Sequence, residues 1–229
     1  MKNLVFLTGA GISAESGLQT FRDANGLWEG HDIMDVASID GFKKNPDLVL
    51  DFYNKRRKQL LKVEPNSAHK VISTLENLYN VTVITQNVDD LHERAGSSKI
   101  IHLHGELLKA RSVTSNDKLY EWYDDIFVGT YNEFNQQLRP HIVWFGEDVP
   151  EMAHAIQIIK TADIVVIVGT SLQVYPAAGL IEYATNDADI YYIDKNPANT
   201  KSFGKNIKVI TKTATEGLVE FSEYLNNLT

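Results

Sequence analysis

Glycine and other small residues fill Gly9-Ala10-Gly11-Ile12-Ser13-Ala14, directly after the apolar run Leu4-Val5-Phe6-Leu7. A strand that runs into such a segment can turn main-chain amides toward a pyrophosphate, and the spacing fits G-x-G-x-x-A. A dinucleotide fold would next run down a helix to a second strand whose acid takes the ribose. Here Thr20-Phe21-Arg22-Asp23 and Gly26-Leu27-Trp28 interrupt that plan within two turns.

Other strand ends offer similar chemistry. Thr85-Gln86-Asn87-Val88-Asp89-Asp90 follows Val81–Ile84, at the edge where open α/β sheets bind ligands. Asn87 and Asp89 together offer donors and acceptors for a carboxamide. They equally suit the N-cap of a helix beginning near Leu91, and that segment alone favours the cap. In Ile101-His102-Leu103-His104-Gly105-Glu106 the two histidines share a strand face and could chelate a metal. A third ligand is missing, so acid–base work suits His104 better, with His102 a histidine held by hydrogen bonds in its loop. Gly169-Thr170-Ser171 makes a second small-residue turn, suited to phosphate or ribose and equally to a plain strand-to-loop turn. Asp194 ends Tyr191-Tyr192-Ile193 and could accept from ribose hydroxyls or form an Asx-turn into Asn196-Pro197. One nucleotide across the sheet edge accounts for all four turns.

The elements that must position these residues are short. Leu4–Thr8, Val81–Thr85, Lys99–Leu103, Ile164–Gly169, Ile190–Ile193 and Ile207–Ile210 read as strands, several of them unbroken Val/Ile runs. Helical patterns at 68–79, 152–161 and 177–185 lie between them, which predicts a doubly wound parallel sheet. Residues 26–67 hold no strand pattern but a helix over 46–61, and 107–139 are polar and aromatic without a period. These two stretches are expected to pack together as a small inserted lobe over 26–77 and 107–139. The large lobe then takes 1–25, 78–106 and 140–229. The 229 residues suit one such unit. A net charge of −8 argues against nucleic acid or an anionic membrane as partner. No apolar run approaches the ~18 residues of a membrane helix, and the sequence enters its first strand at once, so a cytoplasmic location is expected. Cysteine is absent, which excludes disulfides, a thiolate nucleophile and a cysteine-built zinc site.

Gly9–Ser13 with Ser16-Gly17, then Thr20-Phe21-Arg22, Thr85-Gln86-Asn87-Val88-Asp89, His102-Leu103-His104-Gly105, Trp144-Phe145-Gly146-Glu147 and Gly169-Thr170-Ser171 follow one another in a familiar order and spacing. In these motifs the chain resembles the sirtuins, NAD-dependent protein lysine deacylases, over nearly its whole length. The resemblance implies a Rossmann-like doubly wound sheet with an inserted lobe. NAD is then consumed as a co-substrate: the acyl-lysine carbonyl oxygen attacks C1′ of the nicotinamide ribose, nicotinamide leaves, and the products are free lysine and 2′-O-acyl-ADP-ribose. His104 is implied as the general base on the ribose hydroxyls. Gly9, Ala10, Gly11, Ile12, Ser13, Thr20, Phe21, Arg22, Gln86, Asn87, Asp89, Gly169, Thr170, Ser171 and Asp194 are implied to hold the cofactor. Relatives often carry asparagine where Asp194 stands. Acyl-lysine protein substrates are expected to lie as an extended strand between Phe145-Gly146-Glu147 and the loop containing Val174.

Within Lys55-Arg56-Arg57-Lys58 the sequence reads as a solvated basic helix face, with one exception. Tyr53 and Arg56 stand at i, i+3, where a phenol and a guanidinium can take one carboxylate. That spacing resembles the sirtuins that remove succinyl and malonyl groups, so both activities are expected, with deacetylation weaker. Alternatives are mono-ADP-ribosyl transfer to protein and a non-catalytic NAD or ADP-ribose binding module. The family's two Cys-x-x-Cys pairs are missing from Glu106–Val143. The lobe is therefore expected to lack zinc and to be held by aromatic packing of Tyr120, Trp122, Tyr123, Phe127, Tyr131 and Phe134. Oligomeric state is not legible in the sequence.

Overall fold

The computed structural model describes residues 1–19, 27, 28, 30–115 and 117–227. Along the chain run β1 (Asn3–Thr8), β2 (Leu27–Trp28), β3 (His31–Asp32), α1 (Ile33–Val36), α2 (Ile39–Lys44), α3 (Pro46–Leu60), α4 (Ser67–Leu75), β4 (Asn80–Thr85), α5 (Leu91–Arg94) and β5 (Ile100–His102). There follow β6 (Gly105–Ser112), β7 (Leu119–Glu121), β8 (Leu138–Ile142), α6 (Met152–Lys160), β9 (Ile164–Val168), β10 (Asp189–Ile193), β11 (Ile207–Ile210) and α7 (Ala214–Asn226). Residues Ala177–Tyr183, predicted as an α-helix, form a 3₁₀ stretch instead.

Six strands make one parallel sheet in the order β11-β10-β9-β1-β4-β5. Successive side chains of β1 point to opposite faces, and both faces are covered. Leu4 and Phe6 join Val83, Val166 and Ile193 beneath α4 and α7, while Val5 and Leu7 join Ile84, Val165 and Ile167 beneath α6 and the 3₁₀ stretch. The chain leaves β1 toward β4 on one side and resumes at β9 on the other. The topological switch therefore lies between β1 and β9, where open sheets of this kind bind nucleotides. Among the described residues no helix is long and apolar enough to cross a membrane.

The two excursions do pack together, with corrections to how. A two-residue antiparallel hairpin, β2–β3, lies in the stretch read as strandless. The 107–139 stretch folds as an antiparallel sheet in the order β7-β6-β8. Its predicted aromatic core is not there: Tyr123, Phe127, Tyr131 and Phe134 are each more than half exposed, and only Tyr120 and Trp122 are partly buried. Leu50, Ala110, Ile126 and Leu138 form the apolar centre instead.

Helix α3 explains the join. Asn45 caps it by accepting from the Leu48 amide, with Pro46 in the first turn. Three stripes at i, i+3, i+4 spacing then face three ways. Asp51, Lys55 and Lys58 face water; Leu50, Asn54 and Arg57 face the small sheet; Tyr53, Arg56 and Leu60 face the cleft between the lobes. Arg57, expected on the solvated face, is 1 % exposed. It donates to the carbonyls of Leu107 (3.2 Å) and Asp124 (3.1 Å) and to Asn54 Oδ1 (3.0 Å). Asn54 in turn donates to the Ile126 carbonyl and accepts from its amide, both at 2.9 Å.

Candidate active site

A cleft of about 390 Å³ runs along the carboxyl ends of β1, β4, β9 and β10 and opens toward the small lobe. At its floor the turns after β1 and β9 touch through their backbones. The Gly9 amide donates to the Val168 carbonyl (3.0 Å) and the Gly11 amide to the Gly169 carbonyl (2.8 Å). A Cβ on Gly9 would lie 2.7 Å from Thr170 Cβ, and one on Gly11 2.7 Å from Gly169 Cα. The glycines are thus required by strand-turn packing, and two of the amides read as phosphate donors are spent inside the protein. Among the described residues the amides of Ala10, Thr170 and Ser171 have no protein acceptor, and all three residues line the cleft. That donor set fits an anion at the switch point. Gln86 ties the floor to β4 by donating to Thr170 Oγ1 at 3.1 Å. Ile12 departs from its predicted place: its side chain belongs to the sheet core, and its amide donates to the Gly9 carbonyl.

Ser13 is the centre of the next layer. Its hydroxyl donates to Asp89 Oδ2 (2.9 Å) and accepts from Asn87 Nδ2 (3.1 Å). Asp89 Oδ1 also accepts from the Leu91 amide (3.2 Å), an Asx-type turn just ahead of α5. The N-cap position of α5 is Asp90, with no side-chain cap bond, and Asp89 lines the cleft. Burial pushes the Asp89 carboxyl up to about 6, against the hydrogen bonds from Ser13 and Leu91. Beneath lies His69, buried on the apolar face of α4 and marked by no motif. Its Nε2 is 3.5 Å from Ser13 Oγ and its Nδ1 bonds Asn66 Oδ1 at 3.1 Å.

His104 Nδ1 lies 3.0 Å from the Gln86 carbonyl. A carbonyl only accepts, so Nδ1 carries the proton and Nε2 keeps its lone pair. Burial, opposed by that hydrogen bond, lowers the imidazole below its ordinary value. A neutral ring with a free nitrogen on a cleft wall is chemically a base. His102, two residues back, does not join it. Its Nδ1 bonds the Asn87 carbonyl (3.2 Å) and its Nε2 bonds Glu93 Oε1 (2.7 Å), as expected for a histidine held in its loop. Among the described residues one trio, Glu93, His102 and Glu106, brings three possible ligand atoms within 4.8 Å of one another. Lys109 already holds Glu106 there at 2.9 Å.

At the other end of the cleft, α3 presents Tyr53 and Arg56, both buried. The Arg56 guanidinium lies 4.4 Å from the Trp28 ring centroid. Tyr53 accepts a hydrogen bond from Trp144 Nε1 at 3.0 Å. Phe145, Gly146, Glu147 and Val174 line the same cleft, with Trp28, Leu107, Ile142, Trp144 and Tyr175, which were not selected from the sequence. Trp28 and Trp144 had a signal, being large aromatics inside polar motifs. Asp194 lines the cleft at the carboxyl end of β10, and its Oδ1 also accepts from the Asn196 amide at 2.7 Å, forming the Asx-turn. Thr20, Phe21 and Arg22 lie outside the described residues.

Comparison with known proteins gives a consistent result. The profile of the Sir2 family matches residues 9–176. An NAD-dependent protein deacylase of Helicobacter pylori strain J99 is 57 % identical over 218 residues, 95 % of this chain and 93 % of that protein. The crystal structure of a Sir2 homolog–NAD complex superposes with a TM-score of 0.88 at 35 % identity, covering 99 % of this chain and 90 % of the other. A structure described as Sir2 bound to acetylated peptide superposes at 0.81 with 29 % identity, covering 97 % and 93 %.

Proposed function

The chain belongs to the Sir2 family and is an NAD-dependent protein-lysine deacylase, and we propose that the acyl groups it removes are chiefly succinyl and malonyl, with acetyl a weaker substrate. NAD supplies the ribosyl carbon that takes the acyl oxygen and the nicotinamide that departs. The chain's residues do the rest. The amides of Ala10, Thr170 and Ser171 hold the pyrophosphate, supported by their lack of a protein acceptor. Asn87, Asp89 and Ser13 receive the nicotinamide carboxamide, and Asp194 the adenosine ribose. His104 takes a proton from the nicotinamide-side ribose hydroxyls onto Nε2. The acyl-lysine enters as an extended strand between Phe145-Gly146-Glu147 and Val174, with main-chain pairing that tolerates many flanking sequences. The two-lobe division and a lobe without zinc belong to the same reading. Helix α4 is counted in the large lobe rather than in a small lobe over 26–77, because Ala68, Ile72 and Leu75 pack in the core of the parallel sheet.

One observation carries the acyl preference. Tyr53 and Arg56 share one stripe of α3 on the cleft wall, a phenol and a guanidinium buried among Trp28, Phe52 and Trp144. A guanidinium kept there suits a distal carboxylate, with a two-pronged contact that an acetyl group cannot use. The test is Arg56→Met, assayed by nicotinamide release on succinyl-lysine and acetyl-lysine peptides. A charge-assisted contact of this kind corresponds to a loss of about 10- to 100-fold in kcat/KM on succinyl-lysine. Acetyl-lysine should change far less. An equal loss on both, or none on succinyl, refutes the proposal.

A further inference from the structure

The Tyr53 phenol is not free to choose its partner. Trp144 Nε1 donates to its oxygen at 3.0 Å, and the two rings lie 6.1 Å apart at 33°. An indole nitrogen only donates, so this contact occupies the phenol oxygen as an acceptor. Among the described residues the phenol proton has no acceptor, and Tyr53 lines the cleft. Trp144 is itself clamped. The Arg139 guanidinium lies 3.2 Å from its ring centroid, and its main-chain amide donates to Glu147 Oε2 at 2.8 Å. Glu147 is fully engaged: Oε1 accepts from Arg111 (3.0 Å) and Arg139 (2.7 Å), and Oε2 from Arg139 (3.0 Å) besides Trp144. Arg139 and Arg111 stand on β8 and β6, so the clamp is anchored in the small sheet.

We infer that Trp144 is a positioning residue for acyl selectivity: held by Arg139 and Glu147, it fixes the Tyr53 hydroxyl as a donor aimed into the cleft, toward the carboxylate of the acyl group. Glu147 thereby serves the loop's geometry through its carboxylate and leaves the substrate to the loop's main chain. The inference rests on the succinyl and malonyl reading above, and the two are separable.

The experiment is a cycle of Tyr53→Phe, Trp144→Phe and the double variant, with kcat and KM measured on succinyl-lysine and acetyl-lysine peptides at saturating NAD. Trp144→Phe keeps a ring under Arg139 but removes the N–H. Losing one orienting hydrogen bond should raise KM for succinyl-lysine about three- to tenfold relative to the change on acetyl-lysine, with kcat less affected. In the Tyr53→Phe background the same change should have no further effect on that ratio, because there is no hydroxyl left to orient. If Tyr53→Phe lowers the succinyl preference while Trp144→Phe leaves it alone, or lowers it equally in both backgrounds, the positioning role is wrong and the acyl reading stands. If Arg56→Met leaves the preference unmoved, the acyl reading itself falls, whatever the two ring variants do. Should Trp144→Phe not fold, benzothienylalanine at position 144 preserves the ring's size without the donor, and the same ratios decide.

Discussion

At the scale of residues, the cleft separates groups that act by charge from groups that act by being neutral. His104 must be neutral to accept a proton, and burial keeps it so below the ordinary histidine range. The sign follows directly. Protonated imidazole cannot take a proton, so kcat/KM for NAD should rise with pH along a limb whose midpoint lies below about 6.5. His104→Ala should lower kcat by about 10²- to 10⁴-fold, the usual contribution of a positioned base. The Asp89 carboxyl, at about 6, titrates nearby and must be told apart. The limb should persist in Asp89→Asn, at a reduced rate, if it belongs to the imidazole. A limb centred above the ordinary histidine value would assign the base elsewhere.

At the scale of elements, legibility depended on whether a side chain's task is set by its neighbours in sequence. The six sheet strands were readable because parallel strands buried on both faces must be continuous Val/Ile runs. Their polar ends were readable because ligands gather there. Strand β6 was not, since a register shift between Glu106 and Ala110 breaks the two-residue alternation by which antiparallel strands are recognised. Nor was Arg57. In Lys55-Arg56-Arg57-Lys58 each residue turns about 100° from the last, so one basic run serves water, cleft and lobe interface. Only the elements packed against α3 decide which is which. A large consequence attaches to Arg57. Arg57→Met would strand the Leu107 and Asp124 carbonyls and should cost about 2–4 kcal/mol. Lys58→Met, which removes an exposed pair with Asp125, should cost less than about 1 kcal/mol. Urea unfolding of the two variants measures both. Equal midpoints would return Arg57 to the solvated face and leave the cysteine-free lobe without its main tie to α3.

At the scale of the whole molecule, two buried imidazoles bind the large lobe together beneath the cleft. His69 on α4 and His92 on α5 are fully buried, their rings 4.9 Å apart. His92 Nε2 meets Thr8 Oγ1 at 3.1 Å, and Thr8 donates to Thr85 at 2.8 Å, so the contact reaches β1 and β4 at once. Burial lowers His69 to about 4, and burial with the neighbouring His69 and His102 holds His92 well below the ordinary histidine value. An unfolded chain protonates both near the ordinary value of about 6.5, while the folded chain refuses the protons until much lower pH. The stability these rings contribute is present above about 6.5 and is lost as pH falls toward the folded values, at up to about 1.4 kcal/mol per pH unit for each ring. Asp89 acts in the opposite sense: raised to about 6, it binds a proton in the folded state first and offsets one ring. Across these three groups the loss between about pH 6.5 and 5 is on the order of 1 kcal/mol per unit and comes before ordinary carboxylates titrate. Lowered His104 and His141 add to it, while raised His102, Asp90 and Asp194 oppose it. Urea unfolding at about pH 7 and about pH 5.5 should therefore show the midpoint falling with acid. In His92→Gln the slope against pH should flatten, whatever that change does to stability at neutral pH, because one refusing group is gone. A midpoint that held or rose at the lower pH would mean that the buried pair is protonated in the native protein, and the neutral floor beneath Ser13 and Asp89 would have to be redrawn.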